Sequence, residues 1–326
     1  MRVFRKFQLM VAAGTLLALG LAPAAAADAW PSKPIKMVVP FAAGGGTDFI
    51  GRLVAKHLSE RLGAQVFVEN RGGANGTIGV QAVATADPDG YTILATSDST
   101  LVVNPWLYAK LPYQALRDFA PVGTMVRFPG LLAVHPSVPV RSVAELVALA
   151  KAKPGTISYA TGGNGNFSHL AAELFSLATG VKLLHVPFRG VGPAAQAVIA
   201  GDVNMMFNNI QTTIEHVRAG KLVALAVNEP KRIPALPELP AVAETVPGFE
   251  MAPWTGILVP AKTPHEIVER LSKELHEIMR SPEVVKLLTD QYVLPYPSTA
   301  QEFAELIKAD TEKWGKVIKE AGIKVE

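Results

Sequence analysis

The chain has 326 residues, of which 49% are apolar and 18% charged, a globular composition with length for two cores of about 100 to 200 residues each. Cysteine is absent, which excludes disulfides, thiol catalysis, thiolate metal sites and a lipid-modified N-terminal cysteine. The formal net charge of +3 owes its excess to Arg2, Arg5 and Lys6. Without residues 1–27 the chain carries no net charge, and its scattered lysines and arginines form no footprint for nucleic acid or an anionic membrane surface.

Residues 1–29 belong to neither core. A basic start, the short apolar stretch "QLMVAAGTLLALGLA" and small-residue cleavage sites ending at Ala27 or Ala29 read as a secretory signal peptide. The mature protein is then expected to be soluble and exported, with a bacterial periplasm as its natural compartment.

After Pro31, β-rich runs alternate with helical patterns, the signature of parallel sheets covered by helices. A strand over 35–41, a helix from 47 to 62 ending at Gly63, a strand over 66–70, a helix over 76–86 and a strand over 91–97 make a first β-α-β-α-β unit. A second unit follows, with strands over 131–136, 156–161, 183–188, 203–209 and 222–228 and helices over 142–152, 166–179, 192–200 and 212–219. The proline-rich stretch 231–264 ends in "WTGILVP", another strand, and only helices are expected beyond it, over 264–280, 282–290 and 299–321. Helices alone close no core, so they should return to the first unit. The fold class is α/β: two Rossmann-like lobes of mixed or parallel sheet flanked by helices. Lobe I takes residues 30–128 and 256–326 and lobe II residues 129–255, and two crossover segments form a hinge of the Venus-flytrap kind.

The run "PFAAGGGTDFIGRL" places three glycines between the first strand and the first helix, where ligands bind in open α/β sheets. Bare backbone lets a ligand approach the N–H groups, and Thr47 or Asp48 is positioned to cap a helix whose N-terminus favours an anion, although Asp48 is expected rather to hold loop N–H groups or ordered waters. "YATGGNGNFSHLAAELF" repeats the design in the second lobe. An anion held between two such helix starts would bridge the lobes. Nucleotide motifs are missing: there is no Gly-Lys-Ser/Thr and no G-x-G-x-x-G with a distant acid.

The run from "WPSKPIKMVVPFAAGGGTDFIGRL" to "YTILATS", followed in order by "ISYATGGNGNFSHLAAELF", "HVPFRGVGPAAQAVIAGDVNMMFNN", "AGKLVALAVN" and "WTGILVPAKTP", resembles the solute-binding proteins of the tripartite tricarboxylate transporters, the Bug family. The likeness covers essentially residues 30–326. It implies a periplasmic two-lobe binding protein that delivers an organic acid to membrane transporter subunits, works without cofactor or metal, and is not an enzyme. The family grasps one ligand carboxylate with two loops. Carried onto this chain, those loops are Ala43, Gly44, Gly45, Gly46, Thr47 and Asp48, and Gly163, Asn164, Gly165, Asn166 and Ser168. Ser97 and Asn208 sit at further strand ends; relatives often have aspartate where Asn208 stands, which puts a contact with a ligand amine in doubt.

Other candidates rest on position. Arg189 follows a strand and could take a second ligand carboxylate by two-point contact. Phe41, Phe128, Phe167, Phe188 and Trp254 could wall an aromatic acid, and these rings with Asn208 favour a ligand without an amine. His169 and Glu173, four apart, lack an obvious third metal ligand. A secreted α/β hydrolase is the rival, but no G-x-S-x-G elbow is present. A ligand sensor feeding a membrane signalling protein stays compatible with the same fold. The ligand should be a mono-, di- or tricarboxylate, and a monomer is the simpler expectation for a protein that docks on a transporter.

Overall fold

The computed structural model describes residues 30–323. The expected signal peptide and its cleavage site lie outside them. Eleven strands of the described residues form two mixed sheets. The first has the order β11-β4-β10-β3-β1-β2, from β1 (Ile35–Val39), β2 (Val66–Asn70), β3 (Thr92–Ser97), β4 (Phe119–Arg127), β10 (Trp254–Pro260) and β11 (Leu294–Pro295). The second has the order β7-β6-β8-β5-β9, from β5 (Gly130–Val134), β6 (Ser158–Thr161), β7 (Leu184–Pro187), β8 (Met205–Asn209) and β9 (Val223–Val227).

β1 runs parallel to β2 and β3, with Met37 level with Val68 and Ile93. Both faces of such a strand are covered by helices, so "IKMVV" is an almost unbroken apolar run rather than an alternating one. β10 is antiparallel to β3 and β4, and β5 is antiparallel to β8 and β9. These reversed strands stand on either side of the lobe crossings, where the chain enters a new sheet from its neighbour.

Two strands depart from expectation. β4 was not anticipated, because Pro121 and Gly123 break the pattern of "FAPVGTMVR". Both residues fall at register shifts against β10, where a bulged ladder tolerates them. The stretch beyond β10 is also not purely helical: β11 pairs with β4 through Leu294 and Pro295, too short a run to show a period. β10 begins at Trp254, level with Arg127, so residues 254 and 255 lie in the first sheet although a boundary at 256 was expected.

The crossings lie side by side. β4 passes into β5 through Phe128 and Pro129, and the return path runs from Asn228 to Pro253. Phe128 N–H donates to Pro253 O at 2.8 Å, Asn228 N–H to Gly130 O at 2.9 Å and Met251 N–H to Asn228 O at 3.1 Å. Arg127 anchors this hinge. Its Nη1 lies 2.7 Å from Glu250 Oε1 and 3.5 Å from Glu229 Oε2, and its guanidinium covers the Tyr296 ring at 3.9 Å.

The helices Gly46–Leu62, His265–Arg280 and Pro282–Asp290 bury their apolar stripes on one face of the first sheet. The C-terminal helix Ala300–Glu320 opens with a capping box, Thr299 and Glu302 exchanging hydrogen bonds. It packs on β4 and reaches helix Phe167–Thr179 of the second lobe, so both lobes rest on it.

Candidate functional site

The loops at the strand ends of both sheets enclose a cleft of about 460 Å³. Its first wall is the start of helix Gly46–Leu62. Gly45 occupies the N-cap position and has no side chain to cap with, so the first N–H groups of a 17-residue helix meet no capping oxygen. Neither Thr47 nor Asp48 caps the helix; Asp48 takes the other role expected of it and holds a loop N–H group. Gly46 and Thr47 line the cleft. A Cβ built on Gly46 would stand 3.1 Å from the Phe128 ring, so this glycine is set by close packing against the hinge.

Asp48 turns the other way. It is buried, and its Oδ2 accepts from Gly44 N–H at 2.8 Å and from Arg52 Nε at 3.0 Å, while Oδ1 accepts from Asn70 Nδ2 at 2.8 Å. Burial opposes its charge, but the bonds from Arg52, Gly44 and Asn70 outweigh that and hold the carboxyl below its ordinary range. Asp48 therefore braces the loop and presents no charge to the cleft. Gly44, at φ +86°, has the left-handed backbone that the loop needs.

The second wall comes from the other lobe. Asn164, Gly165, Asn166 and Phe167 line the cleft, and Asn166 caps helix Phe167–Thr179 by accepting from His169 N–H at 3.0 Å. Gly165 N–H donates to His169 Nδ1 at 3.0 Å, which makes Nδ1 an acceptor and the imidazole neutral. The His169 ring stacks on His185 at 4.1 Å, and His185 Nε2 is 2.7 Å from Thr161 Oγ1. Burial, reinforced by His185, pushes His169 down to about 4. His169 is thus a support beneath the loop. Its Nε2 lies 3.9 Å from Glu173, and no group of three or more metal-binding side chains converges among the described residues.

Of the sequence-predicted residues, Gly46, Thr47, Ser97, Asn164, Gly165, Asn166 and Phe167 share the cleft, along with Phe128 and Trp254. Ala43, Gly44 and Gly45 are exposed in the first loop, and Gly163 and buried Ser168 flank the second; none of them lines the cleft. Phe41 packs against the first-lobe core and Phe188 against the alanine-rich second-lobe cluster. Arg189 is exposed beside Gly190 and lines no part of the cleft. Asn208 is buried with its Oδ1 accepting from Asn209 N–H at 2.9 Å, and Asn209 lines the cleft instead. Side chains alternate along β8, so the neighbouring residue faces the other way.

Sequence reasoning missed Asn75, Asp98, Ser99, Tyr108 and Trp314. Asn75 takes a left-handed conformation at φ 49° and exchanges hydrogen bonds with buried Asn104, its Nδ2 donating to Asn104 Oδ1 at 2.7 Å. An asparagine between glycines after a strand was the available signal. Asp98 and Ser99 begin a π-helical turn, Ser99–Val103, which carries no apolar period but recurs at functional sites.

The tripartite tricarboxylate transporter family receptors match residues 50–323. The chain belongs to this family. It is similar to BugT of Bordetella pertussis, with 35% identity over 309 residues, 94% of this chain and 95% of that protein. It is also similar to the solved structure of R. palustris Rpa4515 with adipate, at 35% identity and a TM-score of 0.76, covering 91% of this receptor and all of that chain. MatC from Rhodopseudomonas palustris with bound malate is 31% identical with a TM-score of 0.70, covering 89% of this receptor and all of that chain. The two-lobe architecture read from the sequence is the one these relatives share.

Proposed function

We propose that this receptor is a periplasmic solute-binding protein that takes a small organic carboxylate between its lobes and presents it to the membrane subunits of a tripartite transporter. The observation that carries this reading is the pairing across one cleft of the uncapped helix start at Gly46 and Thr47 with the Asn164–Asn166 turn of the other lobe. Free N–H groups and the helix dipole favour a carboxylate there by about 0.3 to 1 kcal/mol when exposed and up to about 2 when partly buried. A ligand touching both walls favours approach of the lobes about the crossings at Phe128 and Pro253. Adipate and malate in the relatives support the same ligand class. The protein acts as a monomer and without covalent chemistry, since capture and release need only hinge motion.

The test is a thermal-shift screen of the mature protein, unfolded and refolded to strip carried ligand, against mono-, di- and tricarboxylates. A ligand at 100 times its dissociation constant stabilises the folded state by about 2.7 kcal/mol, a rise of several degrees. A selective rise supports carboxylate capture. A folded protein that responds to no acid overturns it.

A further inference from the structure

Among the described residues that line the cleft there is no lysine, arginine or histidine, and the one carboxylate is Asp98. Asp98 follows β3, the strand beside β1, and so stands next to the helix start that would hold a ligand carboxylate. Only 8% of it is exposed, and its Oδ1 accepts from Ser99 N–H at 2.8 Å. Helix Ala300–Glu320 brings Asp310 near it, which accepts from Trp254 Nε1 at 2.7 Å and pairs with Lys313 at 2.8 Å. The nearby cation is therefore engaged by Asp310. The rest of the lining combines aromatic side chains, among them Phe128, Phe167, Trp254 and Trp314, with neutral polar ones such as Asn75, Ser99 and Asn209.

Resting on the reading that this cleft holds a carboxylate, we propose that Asp98 sets its specificity, favouring a monocarboxylate whose far end carries a hydrogen-bond donor, an ammonium or hydroxyl group, over a dicarboxylate. The first carboxylate uses the helix start, and the apolar body lies on the aromatic walls. A second carboxylate would then meet a like charge with no cationic side chain in the lining to offset it, whereas a donor would satisfy Asp98. This departs from the sequence expectation of a ligand without an amine, which rested on the aromatic rings together with Asn208: Phe128, Phe167 and Trp254 do line the cleft, but Asn208 does not and Asp98 does.

Protonation of Asp98 gives the proposal a second, independent handle. Burial, with Asp310 adding to it and Lys313 and the Ser99 and Trp254 N–H groups opposing, pushes the Asp98 carboxyl up to about 7. Below that pH the group is neutral and its rejection of a second carboxylate relaxes.

The test is calorimetric titration of the mature protein with matched acids that differ only in the far group: hexanoate, 6-hydroxyhexanoate, 6-aminohexanoate and adipate, with butyrate, 4-hydroxybutyrate, 4-aminobutyrate and succinate as a shorter set. At pH 8 the amino or hydroxy acid of at least one set is expected to bind tenfold or more tighter than its diacid. In Asp98→Asn that ratio should fall tenfold. In the unaltered protein, diacid binding should tighten severalfold from pH 8 to pH 6 while the plain monoacid holds steady, a readout that stands if the variant fails to fold. Acids that bind without any such preference, or a preference unchanged by both Asp98→Asn and pH, would overturn the inference alone. Binding by none of the acids would overturn the carboxylate reading and the inference with it.

Discussion

Oδ2 of Asp48 accepts the N–H of Gly44 four residues back along the chain, at 2.8 Å, while its Oδ1 accepts from Asn70 at the end of the neighbouring strand. One buried carboxylate thus ties the loop after β1, the first helix and β2 together, and Arg52 completes its shell. Removing it leaves Gly44 N–H without its acceptor and Asn70 Nδ2 with only Phe41 O, at 3.1 Å. Hydrogen bonds to a charged group contribute about 1.5–3 kcal/mol. Asp48→Ala is therefore expected to lower Tm by several degrees and to weaken carboxylate binding, with both read on the purified protein. The sign with pH follows from a depressed carboxyl: its stabilising contribution is complete above the ordinary 3.8 and fades as pH falls through its lowered value. The gap in Tm between Asp48→Ala and the parent should hold from pH 8 to 5 and narrow only in stronger acid; a gap that closes near neutrality would contradict the arrangement.

Gly46 and Phe128 meet where the first helix start touches the hinge. A Cβ on Gly46 would press on the Phe128 ring at 3.1 Å, and the branched side chain of valine would also project into the cleft. Gly46→Val should weaken binding of any carboxylate ligand at least tenfold while the far-ultraviolet circular dichroism stays that of the parent. Gly45 has an ordinary φ of −78° and more room, its nearest neighbour being Ala42 O at 3.6 Å, so Gly45→Ala should be mild. Equal losses at the two positions would mean that the loop, not the wall at Gly46, makes the site.

The contrast between these two glycines shows how far the sequence could be read. "AAGGGTD" announced a bare helix start at the end of a strand, and the strand and helix around it follow from apolar runs and a stop at Gly63. Which glycine faces the ligand depends on one turn of backbone and on a phenylalanine more than 80 positions away, and no local pattern carries that. Asp98 lies in the run of small polar residues "TSDST", which carries no period and no motif. Its burial against Trp254 and Asp310 arises from strands and helices that meet only in the fold. Asn208 and Asn209 differ by a single step of strand alternation, and the sequence offers the pair without the phase.

His169 supports the second wall through one bond, Gly165 N–H to Nδ1. His169→Leu deletes the acceptor at similar bulk. Loss of one neutral hydrogen bond costs about 0.5–1.5 kcal/mol, so binding should weaken roughly threefold to tenfold as the Asn164–Asn166 turn loosens. A neutral buried histidine also resists protonation. With its folded value pushed down to about 4 from 6.5, its stabilising contribution is complete above 6.5 and drains away as pH falls toward 4. The parent should therefore lose stability relative to His169→Leu between pH 6.5 and 4. A Tm difference that is flat across this range would show that the ring is not held neutral.

Glu229 sits in the hinge with the opposite sign. It is 4% exposed, its Oε1 finds no hydrogen-bond partner, and Arg127 reaches it only at 3.5 Å while lying 2.7 Å from Glu250. Burial, which Arg127 only partly offsets, pushes Glu229 up to about 7 from 4.5. For a raised carboxyl the stabilising contribution is complete below 4.5 and is lost as pH climbs through about 7. Glu229→Gln keeps the shape without the charge, and Arg127 keeps Glu250. The variant should be more stable than the parent at pH 8 by about 1–3 kcal/mol, a few degrees in Tm, and should match it near pH 4.5. Arg127→Met should do the reverse at pH 8, since it strands a buried carboxylate and such losses run to about 3–5 kcal/mol. Because His169 and Glu229 act with opposite signs in mild acid, each variant is compared with the parent at the same pH. A Glu229→Gln protein less stable than the parent at pH 8 would mean that the Arg127 pair outweighs the burial of Glu229, and that the hinge is held by charge.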